Sequence, residues 1–495
     1  MNKIILCILV LSVAVASIGF VSAGDMDDVS ITDSAFDGEL LNIDESFSDS
    51  AYELSADSFV SNLTDDSSFK NDSFDLAMNE CTNGSNDVKT IQSDNIRVPL
   101  NISGPKDPIN LNIKGPKISD PNLSGSFDDL QVEINNAESG SVLHLHRDYN
   151  GKKSTVIQLN KDLTINGHGH TLDCLHLTDC SAFFSKSGNI IIKNLNIING
   201  HNDDNNKGGA IHITGSAKYT LIGCNLIDNW ADDYGGAIYN GVDNTLTIIN
   251  CTFRGNTADD DDGGAIWSQG EVNIVNSTLN SNKACEDGGA IFCKNNVGVV
   301  NSILKSNTAK GAIFAACYGG AISSKGDVYI DNSTISDNTA ADYGGAVSAN
   351  NIYVNTKVSN SKSFFNGNSA LDDHGGAFYA KNSVKVYNSV FSGNKAYFDG
   401  GAIRCREAYV ESCVFESNKA TGALVSQCWG GAIFASKNLY LYSSVLHDNF
   451  ADNSGGAIYT DYLHLLRNKP NCIYNNHVAD GSYNQEEFYY FRDLD

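Results

Sequence analysis

Acidic side chains precede a recurring Gly-Gly pair, and their type and spacing suit them to cation chemistry. The candidates are Asp233, Asp261, Asp342 and Asp373. Hard cations bind several carboxylate oxygens at one place, so carboxylates repeated in this way predict a Ca²⁺ site. Because no fixed ligand spacing repeats, a solvated acidic corner is the competing interpretation. The sequence therefore requires no cofactor and allows for Ca²⁺.

Flat rings occupy the position directly before the same Gly-Gly pair in several repeats. A row of exposed rings on a rigid support can form a sugar-binding platform, because aromatic faces give broad apolar contact beside a polar edge. Rings that only cover a corner of the core are the alternative. Two long repeats also carry matching insertions at residues 310–318 and 421–429, where protruding loops can bind ligands. The candidate ligand-binding residues are Tyr234, Tyr318, Tyr343, His374 and Trp429.

Catalytic residues have little support in the sequence. His168-Gly-His170 lies in a glycine turn between predicted strands, and no arginine is placed to help an aspartate abstract a proton. Two carboxylates on adjacent repeats can act as acid and base in glycoside cleavage, but with so many aspartates this pattern is not selective. We predict no catalytic residue, and a polysaccharide lyase or glycoside hydrolase remains the alternative function.

An internal repeat determines the secondary structure elements that position these residues. Gly-Gly-Ala occurs ten times between residues 208 and 457, at intervals of 25 to 31 residues. A large apolar residue three places before an Asn follows each corner, and short segments with alternating apolar residues lie between. Period-2 patterning in such short runs indicates strands. A repeat of this length without helices predicts an all-β parallel β-helix, a solenoid of roughly a dozen coils.

The repeated Asn has a structural interpretation. An inward Asn at a turn can exchange amide hydrogen bonds with the Asn of the coils above and below, which satisfies buried polar groups. We predict that this stack is a structural ladder. Its members are Asn229, Asn256, Asn282, Asn307, Asn338, Asn368, Asn394, Asn418 and Asn449.

Composition divides the chain into five segments. Residues 1–23 have the charged start, apolar run and small-residue cleavage site of a secretory signal peptide. Residues 24–97 hold 18 Asp/Glu against 3 Lys/Arg and abundant Ser, which predicts a disordered acidic segment. A Pro/Gly/Asn linker spans 98–125. The β-helix with its N-terminal cap spans 126–480, and 481–495 form a C-terminal tail or cap.

A short helix is predicted at the start of the solenoid. Phe127, Leu130 and Ile134 would share one helix face, and Ser126 is placed to cap the first turn. The open end of a solenoid needs covering, and an amphipathic helix can do this. We therefore expect an N-terminal capping helix.

Twelve cysteines remain after removal of the signal peptide. Cys224, Cys251 and Cys413 stand where other repeats have Ser, which argues for small buried thiols in a ladder. An exported protein can also form disulfide bonds. The best candidate pairs are Cys224 with Cys251, which should be stacked neighbours, and Cys174 with Cys180, which are close in sequence.

The formal net charge of −26 disfavours nucleic acid as a partner. After the signal peptide, no stretch has the length and apolar character of a membrane span. We therefore expect a secreted or cell-surface protein without an integral membrane span. The sequence leaves the oligomeric state open.

The motifs resemble known surface proteins. Gly-Gly-Ala-Ile with Phe-x-x-Asn is similar to the repeat of chlamydial polymorphic outer-membrane proteins. Together with Phe127-Asp-Asp-Leu-Gln and Leu163-Thr-Ile-Asn-Gly, it looks closer to the adhesin-like surface proteins of methanogenic archaea. Those are similar to pectate-lyase-type right-handed β-helices. The resemblance covers roughly residues 126 to 480. It implies a right-handed β-helix and a surface location.

These observations favour an exported, non-enzymatic, adhesin-like protein. Its expected partners are glycans or cell-envelope components, bound along one face of the β-helix. An enzyme that cleaves polysaccharides and a structural surface spacer are the alternatives.

Overall fold

The computed structural model describes residues 124–203, 207–311, 315–356, 361–422 and 428–479, and the backbone of 486–494. The predicted signal peptide, the acidic segment and the linker up to residue 123 lie outside the described residues. All described residues belong to one compact unit. Within them, no helix is both long and apolar enough to cross a membrane.

The described chain is a right-handed parallel β-helix of about 13 turns with one short helix, which confirms the predicted fold. Each turn, here called a rung, pairs in parallel with the next rung, and the rungs from His201–Asn202 onward contribute to three sheets. Sheet 1 holds the apolar residue of the Phe-x-x-Asn motif, and sheet 2 holds the Ala that follows this Asn. Sheet 3 begins directly after Gly-Gly-Ala.

Among the described residues, sheet 1 has 14 strands. They are Gly125–Ser126, Tyr149–Asn150, Thr171–Asp173, Asn196–Ile198, Asn225–Ile227, Thr252–Arg254, Thr278–Asn280, Ile303–Lys305, Thr334–Ser336, Ser363–Asn366, Ser389–Ser392, Val414–Glu416, Val445–His447 and Cys472–Tyr474. Sheet 2 has 11 two-residue strands in the same part of the chain. They are His201–Asn202, Trp230–Ala231, Thr257–Ala258, Lys283–Ala284, Thr308–Ala309, Thr339–Ala340, Ser369–Ala370, Lys395–Ala396, Lys419–Ala420, Phe450–Ala451 and His477–Val478.

Sheet 3 has 21 described strands. They are Val142–His144, Val156–Gln158, Leu163–Asn166, Ser181–Ser185, Asn189–Lys193, Ile211–Ile213, Lys218–Ile222, Ile238–Asn240, Leu246–Ile249, Ile266–Ser268, Val272–Val275, Ile291–Cys293, Val297–Val300, Ile322–Ser324, Val328–Asp331, Val347–Val354, Phe378–Tyr387, Ile403–Glu411, Ile433–Tyr442, Ile458–Leu466 and Glu486–Leu494. Early rungs contribute two short strands each. From Val347–Val354 onward the two merge into one long strand, and the register shifts at its middle.

The last strand of sheet 3 lies in the segment assigned to a C-terminal tail or cap. Glu486–Leu494 pairs in parallel with Ile458–Leu466, from Ile458 opposite Glu486 to Leu466 opposite Leu494. The backbone of this segment therefore extends the sheet by one more strand.

The predicted helix is present as α1, Phe127–Asn136. The Ser126 hydroxyl accepts the Asp129 N–H at 3.2 Å, and the Asp129 carboxylate accepts the Ser126 N–H at 2.8 Å. This reciprocal pair satisfies two backbone donors that a helix start leaves free. Phe127, Leu130 and Ile134 are buried against the first rungs.

The two glycines of each corner are needed for different reasons, as Gly235 and Gly236 illustrate. Gly235 has φ +66°, a left-handed conformation that other residues rarely adopt. A Cβ on Gly236 would lie 2.3 Å from the carbonyl oxygen of Gly264 on the next rung. The first glycine therefore makes the turn, and the second allows the rungs to approach.

The interior of the rod stacks like residues on like. Phe365, Phe391 and Phe415 form a buried column with ring centroids 4.7 Å apart. Beside the apolar core runs a continuous series of Asn side chains, each at most 1% exposed. It comprises Asn229, Asn256, Asn282, Asn307, Asn338, Asn368, Asn394, Asn418, Asn449 and Asn476.

Each Asn in this series is fully hydrogen-bonded, as Asn338 shows. Its backbone N–H and its Nδ2 both donate to Oδ1 of Asn368, at 3.1 and 3.0 Å. Nδ2 also donates to the carbonyl oxygen of Leu304 on the preceding rung at 3.0 Å. Its own Oδ1 accepts the same two donors from Asn307. The ladder therefore ties each rung to both neighbours without leaving an amide group unsatisfied.

The two proposed disulfide bonds are not formed, because Cys174, Cys180, Cys224 and Cys251 are free buried thiols. The backbone N–H of Cys224 donates to Sγ of Cys251 at 3.3 Å. Cys251 in turn donates its N–H to the Ser277 hydroxyl at 3.0 Å. At this position a side chain must accept a hydrogen bond from the backbone N–H of the preceding rung. Both the thiol of Cys and the hydroxyl of Ser can do this.

The Asn ladder predicts a specific stability effect. Asn338→Leu should lower the free energy of unfolding by about 1–3 kcal/mol, because its buried partners lose their hydrogen bonds. Denaturant titration followed by circular dichroism measures this change. Asn273→Leu, the same substitution at a half-buried outward position of sheet 3, is the control and should change little. Equal stability of the two variants would contradict the structural role of the ladder.

Candidate functional site at the Gly-Gly corner

Two columns of side chains flank the Gly-Gly-Ala corner. The corner column is the residue directly before Gly-Gly in each rung, and the strand column is the second residue of the sheet 3 strand that follows. The corner column contains Lys207, Tyr234, Asp262, Asp287, Tyr318, Tyr343, His374, Asp399, Trp429 and Ser454. The strand column contains His212, Tyr239, Trp267, Phe292, Ser323, Ser348, Tyr379, Arg404, Phe434 and Tyr459.

The rings of the two columns meet in three aromatic clusters. Cluster 1 is Tyr234, Tyr239, Trp267 and Phe292, with centroid distances between 4.8 and 6.3 Å. Cluster 2 is Tyr318, Tyr343 and Tyr379, in which Tyr318 stacks on Tyr343 at 4.9 Å. Cluster 3 is Trp429, Phe434 and Tyr459, whose rings are nearly parallel.

The two columns compensate each other in size. Where the strand column has large Trp267 and Phe292, the corner column has Asp262 and Asp287 on the same rungs. Where the corner column has Tyr318 and Tyr343, the strand column has small buried serines. On these four rungs the corner therefore holds one ring each, and in the corner column Asp262 and Asp287 separate Tyr234 from Tyr318.

The five predicted ligand-binding residues do not form one continuous row. Tyr234 belongs to cluster 1, Tyr318 and Tyr343 to cluster 2, and Trp429 to cluster 3. The His374 ring lies 5.9 Å from that of Tyr343 and its Nε2 lies 3.0 Å from a carboxylate oxygen of Asp373. All five side chains are half-buried. The rings thus cover part of the corner and still reach solvent.

Three carboxylates come together beside cluster 1. Asp261, Asp262 and Glu286 each offer one oxygen atom, and these atoms lie within 4.8 Å of one another. Burial, together with the charges of Asp287 and Asp261, raises the pKa of Asp262 to about 8. Burial is also the main cause that raises the pKa of Asp261 and of Glu286. This cluster has the oxygen donors that a hard cation prefers.

The other predicted cation ligands lie elsewhere. Asp342 accepts the backbone N–H of Cys317 at 2.7 Å, and Asp373 interacts with His374 and Tyr343. Asp233 lies close enough to Asp261 for its charge to raise that pKa. The structure thus brings only Asp261 of the four into the carboxylate cluster, together with Asp262 and Glu286.

The two insertions are described only at their ends, because residues 312–314 and 423–427 lie outside the described part. Each insertion ends in the same way. Cys317 N–H donates to the Asp342 carboxylate, and Cys428 N–H donates to the Asn453 side chain at 3.2 Å. A side chain of the next rung therefore fixes the return of both insertions to the corner.

Four stretches match the family model of the Chlamydia polymorphic membrane protein (Chlamydia_PMP) repeat: residues 250–269, 276–294, 388–406 and 412–436. Each stretch holds one ladder Asn and the Gly-Gly-Ala-Ile corner that follows it. Repeats of this kind suggest a surface-exposed protein. No curated protein and no solved structure matches the chain significantly. The resemblance to archaeal adhesin-like proteins stays a prediction.

Sequence reasoning missed the strand column, although a signal was present. Its residues follow Gly-Gly-Ala at a fixed offset of two, as Tyr239, Trp267 and Phe434 show. Trp267 is 6% and Phe434 7% exposed, because neighbouring rings cover them on an outward position. An aromatic residue two places after Gly-Gly-Ala is therefore predicted to lie on the same surface as the corner column.

The raised pKa of Asp262 predicts that stability falls as the pH rises. The native state retains a proton on Asp262 between about pH 4 and pH 8, whereas the unfolded state loses it, so this group destabilises the fold progressively through that window. Asp262→Asn should therefore raise the melting temperature at pH 8.5 by about 2 °C and leave it unchanged at pH 4.

Differential scanning fluorimetry across pH 4 to 9 measures this effect. Asp259→Asn, at an exposed position of the same loop, is the matched control and should follow the parent at every pH. An Asp262→Asn variant that also follows the parent would show that Asp262 ionises normally.

A second prediction concerns Ca²⁺. If Asp261, Asp262 and Glu286 hold the ion, millimolar Ca²⁺ should raise the melting temperature at pH 8 and low ionic strength, since bound cation offsets the carboxylate repulsion. Glu286→Gln should reduce this rise, whereas Asp342→Asn should not. A melting temperature that is insensitive to Ca²⁺ and to chelator would leave the solvated acidic corner as the interpretation.

Proposed function

We propose that this protein is a surface-exposed, non-enzymatic, adhesin-like protein that binds glycans or cell-envelope components along the Gly-Gly corner. The observation that carries the proposal is the row of three aromatic clusters. Consecutive clusters are centred about three rungs apart, roughly 15 Å at the spacing of paired strands. A regular spacing on a rigid rod suits an extended polymer, because successive segments of one chain can contact successive clusters.

The chemistry of the corner supports a polyhydroxylated ligand. Tyr318 and Tyr343 stack face to face at an interplanar angle of 14°, and both side chains are half-buried. The Tyr343 hydroxyl lies beside the Asp373 carboxylate. Sugar hydroxyls can hydrogen-bond to such phenol and carboxylate groups, and the apolar face of a sugar can pack against a ring of the cluster.

The matched repeats support a surface location, since they are those of a polymorphic membrane protein family. The predicted signal peptide at residues 1–23 belongs to the same proposal, because a glycan-binding rod must reach the exterior. The polysaccharide-cleaving enzyme and the structural spacer become outcomes of the experiment.

The test passes the purified full-length protein over a polysaccharide panel, with and without Ca²⁺, and scores retention and released oligosaccharide together. We expect retention without release. The double variant Tyr318→Ala/Tyr343→Ala should weaken retention about tenfold, as expected for truncating central aromatic contacts. Phe364→Ala, which removes a half-buried outward ring on sheet 1, is the control and should bind like the parent.

Two results would contradict the proposal. Released oligosaccharide that disappears when a corner Asp is mutated would make the protein an enzyme. Failure to retain any member of the panel would favour the structural spacer.

A further inference from the structure

A second outward column on sheet 3 consists mainly of tyrosines, and it lies apart from the corner. Each member stands directly opposite the next in the parallel register. The members of this tyrosine column are Tyr329, Tyr353, Lys385, Tyr409, Tyr440 and His464. Tyr329 stacks on Tyr353 with centroids 5.0 Å apart, and Tyr440 stacks on His464 at 4.3 Å. Lys385 is the one member without a ring.

The missing ring leaves a slot. Lys385 stands opposite Tyr353 in the register, so no ring covers Tyr353 from the following rung. The ring of Tyr409, one rung further on, packs against Tyr387 with centroids 5.5 Å apart. The structure has a surface cavity of about 360 Å³ at this place. Its lining residues are Tyr353, Asn355, Thr356, Lys385 and Tyr387. We call it the Lys385 slot.

Charge distinguishes this slot from the rest of the acidic chain. Lys385 is exposed, and within the described residues its ammonium group forms no ion pair; it lies 5.9 Å from the centroid of the Tyr353 ring. Among the residues that line the slot, Lys385 alone is charged, whereas the whole chain has a formal net charge of −26. The slot therefore offers an available cation beside the Tyr353 ring.

The polar groups of the slot differ in their availability. The Asn355 side chain is committed, since it donates to Ser389 and accepts from Ser363 at 3.0 and 2.9 Å. Thr356 is exposed. Beyond Lys385, the Thr356 hydroxyl and the phenol of Tyr387 are thus the groups placed to bind a hydroxylated ligand.

We propose that the Lys385 slot binds one saccharide unit that carries an anionic group, a carboxylate or a sulfate. The sugar ring enters the cavity beside Tyr353 and Tyr387, and its anionic group pairs with the Lys385 ammonium. The inference rests on the proposed function, because it names a glycan class for the same rod. It assigns that class to a surface separate from the Gly-Gly corner.

The test measures the affinity of the full-length protein for three oligosaccharide series of equal length: neutral, uronic-acid-containing and sulfated. Lys385→Met removes the charge and keeps the slot open, and we expect it to weaken binding of the anionic series about tenfold and to leave the neutral series unchanged. Lys385→Tyr fills the slot with a ring. It should abolish anionic binding while the melting temperature stays equal or rises. Lys381→Met, an exposed lysine of the same strand, is the control.

The outcomes separate this inference from the proposed function. Loss of anionic binding in both Lys385 variants supports the slot, whether the carboxylate or the sulfate series is the one affected. Anionic binding that survives both variants, or binding without preference for the anionic series, overturns the slot. Sensitivity to Tyr318→Ala/Tyr343→Ala reports on the corner alone, so either surface can fail while the other stands.

Discussion

The pairing of each rung with the next in a parallel register, about 4.8 Å along the axis, is the constraint on which the rest of this structure depends. Backbone groups at that spacing leave no room for a side chain at Gly236, where a Cβ would meet the next rung. The same spacing lets Asn338 donate twice to Asn368 and lets phenylalanine rings stack in the core. Small residues, ladder amides and stacked rings are thus consequences of one repeat distance.

The stacking of equivalent positions is unfavourable at the surface where it brings side chains of equal charge close together. The carboxylates of Asp261, Asp262 and Glu286 show this cost, since burial and mutual repulsion raise their pKa values. Elsewhere the corner avoids it by alternating residue types. Between clusters 2 and 3, Asp399 and Arg404 occupy one rung and bring opposite charges to the same part of the corner. The surface is therefore a sequence of ring clusters and charged rungs.

On a regular β-helix, an interruption in a column of stacked rings marks a candidate binding position. In a column of rings at the strand spacing, each ring face is covered by the neighbouring ring. Only the ring edges then remain accessible to a ligand. Where Lys385 replaces a ring, Tyr353 has no ring opposite it on the following rung, and a cavity lies beside it. Binding along such a rod is thus expected at the ends of ring clusters and at gaps in ring columns.

The sequence by itself determined the fold, because a rung must repeat its glycines, apolar residues and Asn at nearly constant intervals for the backbones to pair. The helix α1 was readable from Ser126 and three apolar residues for a similar local reason. Only the tertiary structure decided which side chains meet across rungs. Asp262 and Glu286 join Asp261, whereas Asp342 and Asp373 do not, since each carboxylate's neighbours depend on how its loop returns to the corner. The tyrosine column could not be predicted from the sequence either. Register shifts within the long strands change the number of residues between Gly-Gly-Ala and the members of this column.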